Sequence, residues 1–143
     1  MVVVDANVLL YAVNRASPNH DDARRWLERA LNGDEPVGLT WLVLLAFIRI
    51  STLPAFAERP LSPVDAFGFL EDWAHAPAAT IVQPTSRHAG ILRGLVVESG
   101  TAGNLTNDAH LAAVAIEHGA TVSTFDRDFA RFAGVRTVRP ASR

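Results

Sequence analysis

Short β-branched runs separated by helix-length segments, rather than by two-residue turns, constrain this chain most, because they call for a parallel sheet with helices packed on it. Val2-Val3-Val4 is apolar on both faces, as a strand inside such a sheet is, and it ends on Asp5. Pro36 to Leu39, Thr80 to Val82 and Thr121 to Thr124 read as further strands, with Val135 to Val138 as an edge strand. Ser17-Pro18 offers an N-cap followed by proline at the first helical position, and Ala23, Trp26, Leu27, Ala30 and Leu31 supply the apolar stripe before Gly33. Thr40 is placed to cap an apolar helix from Trp41 to about Ser51. Ser62-Pro63 starts another, with Phe67, Leu70, Trp73 and Ala74 as its buried stripe. Ser86 is placed to cap a helix bearing Ile91, Leu92, Leu95 and Val96 and closed by Gly100. Asn104 to Asn107 reads as a polar turn, followed by a helix from about Asp108 to His118 that stops at Gly119. The expected fold is therefore α/β, with a central parallel sheet flanked by helices.

A length of 143 residues at 49% hydrophobic composition fits one compact domain over 1–143. The longest uncharged apolar run, Trp41 to Ile48, falls well short of the roughly 20 residues a membrane span requires. No basic-then-apolar leader opens the chain, so the expected location is the cytoplasm. With no cysteine, disulfides, thiolate metal sites and cysteine nucleophiles are excluded. All 13 basic residues are arginine, which excludes a lysine-bearing phosphate loop and a Schiff-base mechanism. Haloacid-dehalogenase-like phosphatases and response-regulator receivers, which also carry an acid at a strand end, fall for the same lack of lysine.

Ligands of parallel α/β sheets bind at the carboxyl ends of the strands, and several acids fall there. Asp5 follows the first strand, Asp126 and Asp128 follow the strand ending at Thr124, and Asp108 opens a helix. Each acid alone has an ordinary explanation: a helix-start charge for Asp108, an Asx turn for Asp5 and Asn7, a solvated loop for Asp126 and Asp128. Carboxylates converging on one crevice, however, repel and raise one another's pKa unless a cation neutralises them. An all-oxygen donor set points to Mg²⁺ or Mn²⁺, and such ions on carboxylates point to phosphoryl chemistry with a metal-activated water. Asn7 and Thr124 are candidates for orienting the ligands.

Three segments together carry a family resemblance: Val-Val-Asp-Ala-Asn-Val-Leu-Leu-Tyr at 3–11, Asn-Asp-Ala-His-Leu-Ala-Ala-Val-Ala-Ile-Glu-His-Gly at 107–119, and Ser-Thr-Phe-Asp-Arg-Asp-Phe at 123–129. Over essentially its whole length the sequence resembles a PIN-domain ribonuclease, specifically a VapC-type toxin of a bacterial toxin–antitoxin pair. The resemblance implies a metal-dependent endoribonuclease that takes RNA as substrate, is neutralised by a cognate antitoxin and is commonly dimeric. It assigns the first, third and fourth family acids to Asp5, Asp108 and Asp126, with Asp128 as a companion ligand. The second family acid has no counterpart. Where the family usually has Ala-Glu-hydrophobic-Arg, this chain reads Ala46-Phe47-Ile48-Arg49. Retained activity is the expectation, since four carboxylates remain; the alternative is a degenerate domain that binds RNA or an antitoxin without cutting. Glu117, nine residues beyond Asp108 and so about 900° around the helix, is a poor substitute.

From Arg127 to Arg143 five arginines face one acid, a local balance of +4. Arg127, Arg131, Arg136 and Arg139 are candidates for gripping an RNA backbone, with a solvated terminal surface as the ordinary alternative. His110 has no evident general-base partner and reads as a helix-face histidine, while Trp26, Trp41 and Trp73 read as core. The Trp41 to Ile48 segment, apolar all round, needs cover on several sides, one of which a dimer or antitoxin surface can provide; the expectation is a homodimer with part of the first helices at its interface.

Overall fold

The computed structural model describes residues 1–100 and 102–143. Its core is a five-stranded sheet, parallel throughout, in the order β3-β2-β1-β4-β5. β1 (Val2–Val4) lies at the centre with all three valines buried, as a β-branched strand covered on both faces should. β2 (Val37–Leu39), β3 (Ala79–Ile81), β4 (Thr121–Ser123) and β5 (Thr137–Val138) complete it, each within the run or shifted by one residue from the run expected. The chain runs outward from β1 through β2 to β3, then returns to place β4 on the other side of β1. That reversal leaves a crevice between the carboxyl ends of β1 and β4, the position at which open α/β sheets bind ligands.

Helix α1 (Ala6–Val13) starts immediately after β1 and was not expected from the sequence. Its residues are apolar on nearly every side, so no helical period distinguishes it from the strand it follows. Asp5 sets its start, accepting the Ala6 N–H at 2.7 Å. Helix α2 (His20–Leu31) begins three residues after Ser17 rather than at it. Ser17 Oγ accepts the Asn19 N–H at 3.1 Å, so the serine closes the turn ahead of the helix instead of capping it. Ala23, Leu27 and Leu31 form its buried line as the spacing required.

Helix α3 (Trp41–Ser51) is capped by Thr40, whose Oγ1 accepts the Val43 N–H, and α4 (Pro63–Ala74) by Ser62 through the Asp65 N–H. Both caps match the sequence reading. Two aromatic assignments do not. The buried line of α4 is Ala66 and Leu70, which turns Phe67 out to 46% exposure. On α3 the buried line is Val43, Leu44, Phe47 and Ser51, leaving Trp41 48% and Leu45 62% exposed. One side of that helix thus lacks the cover expected for it.

Helix α5 (His88–Ser99) starts after Arg87; the Arg87 N–H is bonded to Thr85 Oγ1, so Ser86 is not its cap. A short 3₁₀ turn (Gly103–Leu105) leads into α6 (Thr106–Glu117), which takes in the end of the segment read as a polar turn. Gly100 and Gly119 end α5 and α6 in the left-handed region, at φ of 72° and 63°, which a side chain would disfavour. The helices pack in pairs, α1 against α2 and α3, α3 against α4, and α5 against α6, with α6 reaching β4. No helix among the described residues is long and apolar enough to cross a membrane.

Candidate active site

The β1 and β4 ends are fastened together by side chains. Val4 and Ser123 are paired across the two strands, and the Asp5 N–H continues the ladder to the Ser123 carbonyl at 3.0 Å. Asp5 and Thr124 therefore emerge side by side. Thr124 Oγ1 donates to Asp5 Oδ2 at 2.7 Å and Asn7 Nδ2 donates to the same oxygen at 3.0 Å. Asn7 Nδ2 also reaches Thr124 Oγ1 at 3.2 Å, and its carbonyl oxygen accepts the Phe125 N–H at 3.2 Å. Thr124 Oγ1 in turn accepts the Asp126 N–H at 2.9 Å. One threonine hydroxyl thus orients two acids. Burial nevertheless raises the Asp5 pKa, with the Asp126 charge adding to it, against the lowering effect of the Thr124, Ala6 and Asn7 bonds.

Asp126 caps the 3₁₀ turn Arg127–Arg131 by accepting the Asp128 N–H at 2.8 Å, which also brings Asp128 alongside. Asp108 arrives from the other side, as third residue of α6. It shares with Asp5 a cleft of about 220 Å³ lined by Leu42, Val43, Ala46, Asn104, Asn107 and Leu111 as well. The apolar wall withdraws water from Asp108, and Asp5, Asp126 and Asp128 add repulsion; burial first and those charges second push its pKa up to about 6. All four expected acids are therefore electrostatic neighbours. Among the described residues no three His, Asp or Glu side chains form a ready-made metal cage.

The apolar wall is the structural meaning of Phe47. Helix α3 offers Leu42, Val43 and Ala46 to the cleft, while Phe47 is fully buried with its ring T-shaped on Trp73 at 4.8 Å. Glu117 does not take the missing place. Its buried carboxylate accepts from Thr85 N at 2.8 Å and Thr85 Oγ1 at 2.6 Å, and from His88 Nδ1 at 2.6 Å. His88 Nε2 then meets His110 Nδ1 at 2.9 Å. His110 consequently has a partner that sequence reasoning missed, because it is contributed by α5 and only the packing of α5 on α6 brings it near.

The four arginines separate. Arg127 and Arg131 are exposed on the turn beside Asp126, Arg131 within 3.9 Å of Asp128. Arg136 donates to the Gly119 carbonyl, ahead of β4, which puts it at the end of the sheet away from the acids. Arg139 lies over the Phe125 ring, 4.7 Å from its centroid, with further bonds to the Phe125 carbonyl and Asn19 Oδ1. A roomier cleft of about 490 Å³, lined by Trp26, Arg29, Asp34, Glu35 and Arg143 among others, lies away from the four acids, and Glu35 there is already paired with the N-terminal amino group.

A parallel sheet with carboxylates gathered at its switch point defines a class, and comparison identifies it: the PIN domain family matches residues 2–135, and the chain belongs to that family. Relatives that it matches over nearly their whole length include VapC proteins. Ribonuclease VapC37 of Mycobacterium tuberculosis is 50% identical over 140 residues, covering 98% of this chain and 97% of the relative. Ribonuclease VapC33 of the same species is 38% identical, covering 98% of each. Among solved structures, M. tuberculosis VapC20, a toxin that cleaves the sarcin-ricin loop, superposes with a TM-score of 0.71 at 19% identity, over 98% of this chain and all of the other. The VapBC2 complex of Rickettsia felis, bound to DNA from its promoter, gives 0.71 at 19% identity, over 98% and 99%.

Proposed function

We propose that this protein is a metal-dependent endoribonuclease, the toxin of a toxin–antitoxin pair, that cuts RNA phosphodiester bonds in the cytoplasm at the cleft of Asp5 and Asp108, beside Asp126. The observation that carries the reading is the gathering of acids at the β1 and β4 ends: Thr124 joins Asp5 to Asp126, and Asp108 shares a cleft with Asp5, its pKa raised by burial and by three neighbouring carboxylates. An accumulation of charge that the protein itself leaves uncompensated favours a cation, and donors that are all oxygen favour a hard one. The ribonuclease names of the full-length VapC relatives support the same conclusion.

Asp5, Asp108, Asp126 and Asp128 would hold Mg²⁺ or Mn²⁺, which supplies an activated water and neutralises the reacting phosphate. Thr124 and Asn7 fix the Asp5 carboxylate, and Thr124 also steadies the backbone at Asp126. Leu42, Val43 and Ala46 exclude water from one side of the cleft and so strengthen the interactions inside it. Arg127 and Arg131 offer positive charge to the RNA backbone beside the acids. We assign a cognate antitoxin as the neutralising partner, in keeping with the VapBC complex among the structural neighbours. The uncovered Trp41 and Leu45 of α3 favour a homodimer through that helix, to be checked by light scattering.

The deciding test is cleavage of total cellular RNA with Mg²⁺, Mn²⁺ or EDTA, alongside Asp108→Asn. Discrete fragments that require metal and vanish in the variant are expected. Folded protein that binds RNA without cutting it in any metal would instead make this a binding domain.

A further inference from the structure

Arg139 differs from Arg127 and Arg131 in being seated over an aromatic ring. An exposed arginine normally samples many rotamers, but here the guanidinium carbon sits over the Phe125 ring at 4.7 Å. Its Nη1 donates to the Phe125 carbonyl at 3.4 Å and its Nη2 to Asn19 Oδ1 at 3.3 Å. The supporting ring is itself fixed: Tyr11 meets Phe125 edge-on at 5.2 Å between centroids, and Asn7 holds the Phe125 N–H. Three groups from α1, the β4 end and the C-terminal tail thus build a short stack, and its middle member stands between Thr124 and Asp126 in the chain.

A guanidinium whose carbon sits over an aromatic ring on one side keeps its other side open, and Arg139 remains exposed. Planar cations of this kind stack on nucleobases, and sequence-tolerant binding of unpaired RNA relies on such platforms. Because the ring and the two hydrogen bonds already restrict the side chain, little ordering entropy remains to be lost when a base arrives. A residue serving only as a phosphate grip would gain nothing from being laid on a ring; Arg127 and Arg131, exposed on their turn, suit that task better.

Resting on the ribonuclease reading above, we propose that Arg139, seated on Phe125, is a stacking subsite for an unpaired nucleobase of the RNA strand next to the acid cleft. It makes the substrate a locally single-stranded RNA and gives the protein a hold on the base rather than on the phosphate.

The test uses full-length protein carrying Asp108→Asn, so that RNA is not consumed, and a fluorescein-labelled 12-nucleotide single-stranded RNA with an abasic residue moved through each position. Arg139→Lys keeps the charge and removes the plane. Stacking predicts that it weakens binding about ten-fold with an unchanged salt slope, and that one abasic position causes the same loss in the parent but none in the Arg139→Lys variant. Phe125→Leu, which removes the support, should reproduce the effect. 2-Aminopurine at the sensitive position should change its emission on binding the parent and not on binding Arg139→Lys, a readout that a general loss of stability does not mimic. Equal affinity of the parent and the Arg139→Lys variant, or no abasic position coupled to residue 139, overturns the stacking subsite while leaving the ribonuclease reading intact. No binding of any of these RNAs by the folded parent overturns the stacking subsite, whereas absence of metal-dependent cleavage of cellular RNA overturns the ribonuclease reading on which it rests.

Discussion

Thr124 donates a 2.7 Å hydrogen bond to Asp5 across 119 positions of chain, and the same hydroxyl accepts the Asp126 N–H at 2.9 Å. The bond depends on β1 and β4 being parallel neighbours that end in register, since only then do Asp5 and Thr124 leave the sheet together. Sheet topology is thereby converted into the placement of two carboxylates.

Thr124→Val, nearly isosteric, should reveal what that hydroxyl contributes. It strands the Asp126 N–H and removes the largest influence lowering the Asp5 pKa, so Asp5 should hold its proton to still higher pH. A buried donor left without a partner costs about 1–3 kcal/mol, which calorimetry should register as a lower Tm. Isothermal titration should show weaker Mn²⁺ binding at neutral pH. Thr124→Ser, which restores the hydroxyl, should recover most of both.

Asp108 gives a pH dependence of defined sign. Its folded pKa of about 6 lies above the ordinary 3.8, so the folded chain binds this proton more tightly than the unfolded chain does. The contribution of Asp108 to stability is fully favourable below about pH 4 and is lost as pH rises through about 6. Thermal melts of the metal-free protein should therefore place Asp108→Asn progressively above the parent as pH rises through this window. Mg²⁺ should stabilise the parent more at pH 7 than at pH 5, where a proton competes for the same oxygens, and RNA cleavage should rise over the same interval.

The strands, the Thr40 and Ser62 caps and the acids at strand ends were legible because each depends on residues adjacent in the chain. Helix α1 was not, since eight residues apolar on almost every side carry no period. Ser17 reads as a cap because a serine that closes a turn and a serine that caps a helix share one local sequence, and ahead of α5 it is Thr85, not Ser86, whose hydroxyl takes the next backbone N–H. Helical spacing places Phe67 and Trp41 in the core, whereas burial follows the adjacent Ala66 and the Val43-Leu44-Phe47 line. The convergence of Asp5, Asp108 and Asp126 follows from the strand order, which the sequence spacing alone does not contain. The separation of Arg136 from Arg139 is equally a matter of which end of β5 each residue flanks.

Phe47 tests whether the missing family acid can simply be put back. The side chain is fully buried against Trp73, so Phe47→Ala should cost about 3–5 kcal/mol in urea unfolding. Phe47→Glu would bury a carboxylate in that apolar contact and should be no more stable, with no gain in Mn²⁺ affinity. Ala46→Glu, one residue earlier, enters the cleft beside Asp5 and Asp108 and should bind Mn²⁺ more tightly. Tighter Mn²⁺ binding by Phe47→Glu with unchanged stability would show that position 47 reaches the acids after all.

Glu117 stabilises the fold away from the cleft, at the junction of α5 and α6. Burial alone would raise its pKa, but the bonds from Thr85 and His88 outweigh it and hold the carboxyl below the ordinary 4.5. A carboxyl depressed in the folded state contributes stability that is present above 4.5 and lost as pH falls through its folded value. Glu117→Leu leaves the Thr85 N–H, the Thr85 hydroxyl and His88 Nδ1 facing an apolar group, and removal of one member of such a buried set costs about 3–5 kcal/mol. Glu117→Gln keeps an acceptor for Thr85 but turns an amide N–H toward His88. The His88 ring must then accept at Nδ1 and donate from Nε2 to His110. The Gln variant should accordingly lose less than the Leu variant, and its stability should fall less steeply in urea titrations run from pH 6 down to pH 3. Metal-dependent cleavage per folded molecule should stay at the parent level in the Gln variant, because none of these groups lines the cleft that holds Asp5 and Asp108.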